Sequence, residues 1–316
     1  MIHSYSGNSA VIYRQQLGDL VHAPEVVLGD GRRTNELLNV IIDIEFPRGR
    51  MSTVPGRTFN PWLALSESLW ILAGRDDIEC LLPYNRCIRE FSDDGKTLHG
   101  AYGKRIHDQI EPLLDRLRAD PTDRRAVLSI WRSSDLWKIT KDPPCNDMVM
   151  FKLREDKLQM AVFCRSNDLH WGLHAVNIFT FGILQEYLAA RLGAGLGRQL
   201  HFSQSLHIYL DGPGAAITGR MLVASGKPIQ ECYGAELFPS IELARCSPAE
   251  MLVDMHLVLN RQHIVSRLSW LEFAEDFLRW YRERPSNKKL RDSCRHAEKF
   301  TDWIAAGEVF MEEKER

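Results

Sequence analysis

The sequence has no apolar run close to the roughly 20 residues that a membrane-spanning helix requires, so no such span is expected. It has no surplus of one charge either: 40 Lys and Arg stand against 42 Asp and Glu, a net charge of −2. That balance removes the long-range basic field of a nucleic-acid binder, so no nucleic acid is expected as a partner, while local arginine sites can still hold a small anion. Cys-x-x-Cys pairs are missing. The seven cysteines (80, 87, 145, 164, 232, 246, 294) are scattered, which argues against zinc and disulfide frameworks and for reduced thiols, and no metal site is expected. A glycine-rich dinucleotide fingerprint is missing too, so nothing supports a flavin or nicotinamide site. Met1 to Ser6 lacks the basic and apolar regions of a signal peptide, and a cytoplasmic protein is expected. Repeats, low-complexity tracts and linkers are absent, which favours a single domain over residues 1–316.

What is present is an ordinary globular composition, 44% hydrophobic and 26% charged, in a chain long enough for a sizeable core. The patterning predicts an α/β (α+β) fold, a sheet flanked by helices. Residues 8–28 alternate weakly and fit a helix or a strand. Gly29 to Thr34 reads as a basic loop and Asn39 to Phe46 as a strand. A helix starts at Asn60-Pro61 and stops at Gly74, with Glu67 among its leucines and tryptophan. Residues 76–91 read as helical, Asp93-Asp94-Gly95 as a turn, His99 to Gly103 as a loop, and Ile106 to Leu117 as a helix. Arg124 to Trp131 reads as a strand, and Phe151 to Leu153 with Leu158 to Phe163 as a hairpin. Ala175 to Leu192, stopped by Gly193, carries the strongest helical pattern. His201 to Leu210 is another strand, and Pro248 to Leu259 and Leu268 to Arg284 are amphipathic helices.

One stretch organises the chain: Asp142-Pro143-Pro144-Cys145-Asn146, followed about twenty residues later by Arg165-Ser166-Asn167-Asp168. Two prolines keep the backbone extended and deny it a helix, with a cysteine immediately after. Taken alone a cysteine more often packs as a small hydrophobe; its surroundings mark Cys145 as a nucleophile. Pro143-Pro144-Cys145, Cys164 to Asp168, Gly172, Asn177 and His207-Ile208-Tyr209 resemble, in order and spacing, the thymidylate synthase family. Upstream, Glu67 to Trp70, His99 to Gly103 and Arg124-Arg125 resemble that family's Glu-Leu-Leu-Trp helix, Tyr-Gly loop and paired arginines, so the similarity covers roughly residues 30–211. Four departures stand out. Asn146 replaces a histidine, and Asp168 to Asn177 is one residue longer than the common form. Arg89 to Ser92 replaces a tryptophan-rich segment, and Met311 to Arg316 replaces a short apolar C-terminus. Cys-Asn, Trp171-Gly172 and Gln185-Glu186-Tyr187 are more similar to a divergent branch that includes phage and antibiotic-pathway enzymes modifying pyrimidine C5.

The resemblance implies a mixed twisted sheet and a homodimer, and it implies roles. Cys145 attacks pyrimidine C6, creating an enolate whose C5 takes a one-carbon unit from 5,10-methylenetetrahydrofolate. A free thiol is mostly protonated near neutrality, so the charge of Arg165 should help. Arg33, Arg124, Arg125, Arg165 and Ser166 are phosphate ligands, Arg124 and Arg125 reaching the partner subunit's site. Asn177 pairs with the base; one amide suits uracil or, flipped, cytosine, and the family pattern leans to uracil. His207 and Tyr209 share a strand face and bind the sugar, and Asp168 touches the base or the folate. Glu67 manages protons, Tyr102 helps remove the C5 proton, and Asn146 positions water. The leading expectation is a methylase of a uridine monophosphate. The alternatives are a UMP or CMP type hydroxymethylase and an inactive nucleotide- or RNA-binding relative. Hydroxymethylation competes because water attacks wherever closure over the site is weak. Nucleoside-antibiotic or modified-nucleotide synthesis is the setting the divergent pattern suggests.

Overall fold

The computed structural model describes residues 2–57, 59–229, 236–238, 240–286 and 288–315. Met1, Cys232 and Arg316 therefore lie outside the described residues. In chain order the elements are β1 His3–Gly7, α1 Ser9–Leu20, β2 Glu25–Val27, β3 Arg33–Ile44, α2 Pro61–Leu72, α3 Ile88–Phe91, α4 Tyr102–Ala119, β4 Val127–Ser129, β5 Asn146–Arg154, β6 Lys157–Cys164, β7 Asn167–Asp168, α5 Ile178–Leu192, β8 Gly195–Tyr209, α6 Gly212–Val223, α7 Ser240–Leu243, α8 Pro248–Leu259, α9 Ser269–Glu283, α10 Leu290–Ser293 and α11 Thr301–Glu315. A 3₁₀ turn spans Ser133–Leu136, and a π-helix, Leu169–Asn177, leads into α5.

The strands form one mixed sheet in the order β1-β3-β8-β6-β5-β4, with β2 paired to β3 and β7 to β8. β3 and β8 run antiparallel while β8 and β6 run parallel. The expected hairpin is β5–β6; Glu155 and Asp156 carry φ of 51° and 55°, the left-handed pair that a tight two-residue turn uses. Strand alternation sorts the faces. The row Ile42, His201, Val162, Val149, Leu128 is fully buried under α5 and its neighbours. One residue along, the row Ile41, Phe202, Phe163, Met148 is only half-buried, and Phe163 and Phe202 stack with centroids 4.7 Å apart.

α5 is buried along nearly its whole length, the burial pattern of a central helix. α2 packs on it, capped by the Asn60 side chain, which accepts the Leu63 N–H, with Pro61 at the first helical position. The C-terminal helices close over α2. Trp62 stacks on Phe277 and Tyr281 and donates to the Phe277 carbonyl at 2.9 Å.

Several expectations need correction. Residues 76–91 are turns with only α3 helical: Pro83 lacks an N–H, and the Asp77 and Tyr84 carbonyls are taken by Trp70 and Asn60 side chains. His99–Gly103 is not loop throughout, because α4 starts at Tyr102 and Gly103 serves a close helix approach. The strand expected over 124–131 is only Val127–Ser129, flanked by side-chain-capped turns at Asp123 and Asp135. Helical backbone begins before Ala175 as a π-helix, and β3 begins at Arg33, inside the expected loop. No described helix is long and apolar enough to cross a membrane, and no metal-ligand cluster occurs among the described residues.

Candidate active site

Cys145 precedes β5 directly, and Arg165 follows β6 directly. The antiparallel ladder brings the two ends together, with the Arg165 N–H donating to the Cys145 carbonyl at 2.9 Å. Arg165 Nε and Nη2 donate to the Pro144 and Pro143 carbonyls at 3.0 and 3.3 Å. This holds Nη2 3.9 Å from Cys145 Sγ, and the guanidinium lies over the Trp131 ring. The proline pair thus does two jobs: it straightens the approach, and it turns two carbonyls toward the arginine. Burial still pushes the Cys145 thiol up, with Arg165 the main opposing influence. The expected activation by Arg165 is present in geometry but is outweighed by desolvation, so the thiol needs a proton acceptor.

Asn146 is fully buried, and among the described residues neither end of its amide makes a hydrogen bond of good geometry, the Tyr102 hydroxyl being its nearest polar neighbour by electrostatic influence. A buried amide left so costs about 1–3 kcal/mol, which a ligand with complementary groups would recover. Tyr102, stacked on Phe181, faces the Asn146 amide, Cys145 and Cys164; its hydroxyl is pushed well up, chiefly by burial. Glu67 projects from α2 toward the same space, and burial, reinforced by Asp142, raises its carboxyl to about 8.

β7 aligns Asp168 with His207 of β8. Asp168 caps the π-helix by accepting the His170 and Trp171 N–H groups. Burial raises Asp168 and lowers His207, while each charge favours the other's ionised form. Tyr209 meets His207 edge-on and receives a hydrogen bond from Arg32 at 3.2 Å. Asn177 ends the π-helix. Its Nδ2 donates to Asn167 Oδ1, and Asn167 in turn donates to Ser203. That chain fixes the Asn177 amide with its oxygen directed away from Asn167. Ser166 is half-buried, and its carbonyl accepts the Cys164 S–H.

The structure therefore gathers Cys145, Asn146, Arg165, Ser166, Tyr102, Glu67, Asp168, Asn177, His207 and Tyr209 around the ends of β5, β6 and β8. It does not bring in Arg33, whose guanidinium clamps Glu25 at 2.8 and 2.9 Å on the sheet edge. Arg32, its neighbour, stacks on Tyr209 instead. Consecutive residues entering a strand face opposite ways, so only one of the pair could join, and adjacency alone did not say which. Arg124 and Arg125 lie exposed at the start of β4, Arg125 paired with Asp123. Nothing in the sequence pattern assigns a role to Asp142, yet its carboxylate lies close enough to Glu67, Tyr102 and Cys145 for its charge to act on each.

The thymidylate synthase family model matches residues 27–222, more than half of the chain. The chain belongs to the thymidylate synthase family. Two phage relatives are named deoxyuridylate hydroxymethyltransferase. That of Bacillus phage SP01 is 35% identical over 254 residues, covering 75% of this chain and 64% of the relative. That of Pseudomonas phage M6 is 34% identical over 221 residues, 66% of this chain and 62% of the relative. The thymidylate synthase of Symbiobacterium thermophilum is 32% identical over 164 residues, 46% of this chain and 57% of the relative. This chain spans less than two thirds of the length of these members of the thymidylate synthase family.

Proposed function

We propose that the protein transfers a one-carbon unit to C5 of a uridine monophosphate, and that water completes the product as a 5-hydroxymethyl group. The observation that carries the first half is the buried, unpartnered Asn146 amide beside Cys145, which a pyrimidine with its alternating carbonyls and N–H would satisfy. Cys145 adds to C6. Asn177, its oxygen free of Asn167, accepts from the base N3–H. Arg165 and Ser166 hold the phosphate together with Arg124 and Arg125 of a second copy, and His207 and Tyr209 take the sugar hydroxyl. Arg32, stacked on Tyr209, replaces Arg33 in this reading. Glu67 carries a proton at neutral pH and serves as the acid.

The residues also fit a folate. Asp168 offers a carboxylate, and Trp171 beside it is 42% exposed, a polar edge and an aromatic face of the kind a pterin needs. 5,10-Methylenetetrahydrofolate supplies the one-carbon unit when bound. The choice of water over hydride rests on the names of relatives aligned with 75% and 66% of this chain, and on Asn146 standing where the family usually has histidine. Methylation keeps one observation in its favour: Leu136, Trp137 and Ile139 stand exposed just before Cys145, apolar material for closing over the site.

The half-buried sheet row at Phe163 and Phe202, with Arg124 and Arg125 exposed just before the edge strand β4, supports a twofold homodimer across that face. The function is tested by incubating the protein with 5,10-methylenetetrahydrofolate and each of UMP, dUMP, CMP and dCMP, reading nucleotide mass. A hydroxymethyl increment on a uridine nucleotide is expected, with tetrahydrofolate released. A methyl increment with dihydrofolate would move the protein to methylation, and no increment on any of the four would overturn the proposal.

A further inference from the structure

Asp142 lies three residues before the nucleophile, tied to it through the rigid Pro143-Pro144 pair. Its Oδ2 accepts the Gly100 N–H at 2.7 Å, and its own N–H is engaged by Thr140 Oγ1. Gly100 permits this contact: a Cβ there would stand 2.8 Å from the Asp142 carbonyl and 3.0 Å from Oδ2. Among the described residues Oδ1 has no hydrogen-bond partner. The carboxylate is close enough to Glu67 on α2, Tyr102 on α4 and Cys145 for its charge to act on all three. The charges of His99 and Arg105 also reach it and favour its ionised form, while that of Asp93 opposes it. A carboxylate pinned by one oxygen to a backbone N–H, three residues from the nucleophile and with its charge felt by Cys145, Tyr102 and Glu67, is built like a base, not like a surface acid.

We propose that Asp142 is the general base that activates the water completing the hydroxymethyl group. The inference rests on the C5 hydroxymethylation reading above. The water oxygen bonds to the exocyclic CH₂ carbon on C5, and the water proton passes to Asp142 Oδ1. The exocyclic double-bond pair moves onto C5 and O4 as an enolate. That enolate then expels the Cys145 thiolate from C6, restoring the C5–C6 double bond, and Asp142 returns its proton to the thiolate or to solvent. The water's hydroxyl stays on the product, its proton leaves through Asp142, and no oxidant or reductant enters.

The pair divides the labour. Two carboxylates in one dry site cannot both ionise freely, so their environments decide which holds the proton. Glu67, pushed to about 8, keeps its proton. Asp142 is raised as well, by burial first and by Asp93, but the Gly100 N–H, His99 and Arg105 oppose that shift, whereas the influences on Glu67 all raise it, so of the two Asp142 is the more readily ionised.

The experiment uses the full chain with 5,10-methylenetetrahydrofolate and 5-tritiated dUMP. It reads tritium release, which reports Cys145 addition and C5 proton loss, beside hydroxymethyl product, which also needs the water step. Asp142→Asn keeps an oxygen for the Gly100 N–H. It is expected to lower product on the order of 100-fold while tritium release drops only a few-fold. The stalled methylene should be trapped as a thioether by added 2-mercaptoethanol, and Asp142→Glu should recover part of the product. Product at the wild-type level in Asp142→Asn, or equal loss of product and tritium release, overturns the inference. Should Asp142→Asn fail to fold by thermal melt, the wild-type ratio of product to tritium between pH 5 and 8 decides. A ratio rising with pH supports the base, and a flat ratio overturns it. Absence of tritium release from the wild type, or release retained in Cys145→Ala, would instead sink the underlying function.

Discussion

Cys145 illustrates how one residue's chemistry is set by competition. Arg165 is 3.9 Å from its sulfur, yet burial outweighs that charge and the thiol is raised. Glu67 shows the same physics with a consequence for stability. Its carboxyl titrates at about 8 in the folded chain and at its ordinary 4.5 when unfolded. Between those values the folded state holds a proton that the unfolded state has lost, so its contribution is intact below about 4.5 and is lost as pH rises through 8. Glu67→Gln, neutral throughout, escapes that loss. Its melting temperature relative to wild type should rise by about 2 °C or more between pH 4.5 and pH 8.5 in parallel thermal melts. An unchanged difference across that range would show that Glu67 is not buried as described.

At the scale of elements, the close crossing of α2 and α4 aligns the acid with the phenol. Gly103 makes that crossing possible: a Cβ there would lie 2.4 Å from the Ile71 carbonyl, against backbone that has no room to give. Gly103→Ala should therefore cost about 3 kcal/mol in denaturant unfolding, the upper end of overpacking penalties, and reduce turnover more than tenfold in the protein that remains folded. A loss below 1 kcal/mol would mean that the helices slide apart without strain. The π-helix is the second such element. The stretch from Leu169 to Asn177 is built as widened helical turns, a conformation frequent at functional sites. Asn177 thereby stays hydrogen-bonded to Asn167 at the helix entry.

For the whole molecule, the proposed homodimer, in which the exposed Arg124 and Arg125 complete the other copy's site, makes a prediction of its own. Mixing inactive Cys145→Ala with an inactive Arg124→Ala/Arg125→Ala double variant should restore activity on subunit exchange. One of the two sites in each hybrid then combines an intact cysteine with intact arginines. Recovery approaching one quarter of wild-type activity is the statistical expectation for random pairing into twofold dimers, since half the dimers are hybrids with one good site of two. Recovery near zero despite exchange, with a dimer seen by sedimentation, would place the arginines in their own subunit's site.

Much of this protein was legible in its sequence because local chemistry decided it. The proline pair before Cys145, the β5–β6 turn at Glu155-Asp156 and the Asn60-Pro61 helix start follow from backbone preferences a few residues wide. The strand and helix around the key motifs follow from hydrophobic period. Residues 76–91 misled because their helical spacing was overridden by tertiary hydrogen bonds from Trp70 and Asn60. Arg32 against Arg33, Asp142 as a partner of Glu67, and the unpartnered Asn146 amide became visible only once β3, β5, β6 and β8 were laid side by side. The physical reason is range. Turn and helix propensities act between neighbours in the chain, whereas desolvation and charge act between neighbours in space, and only the folded sheet says who those are.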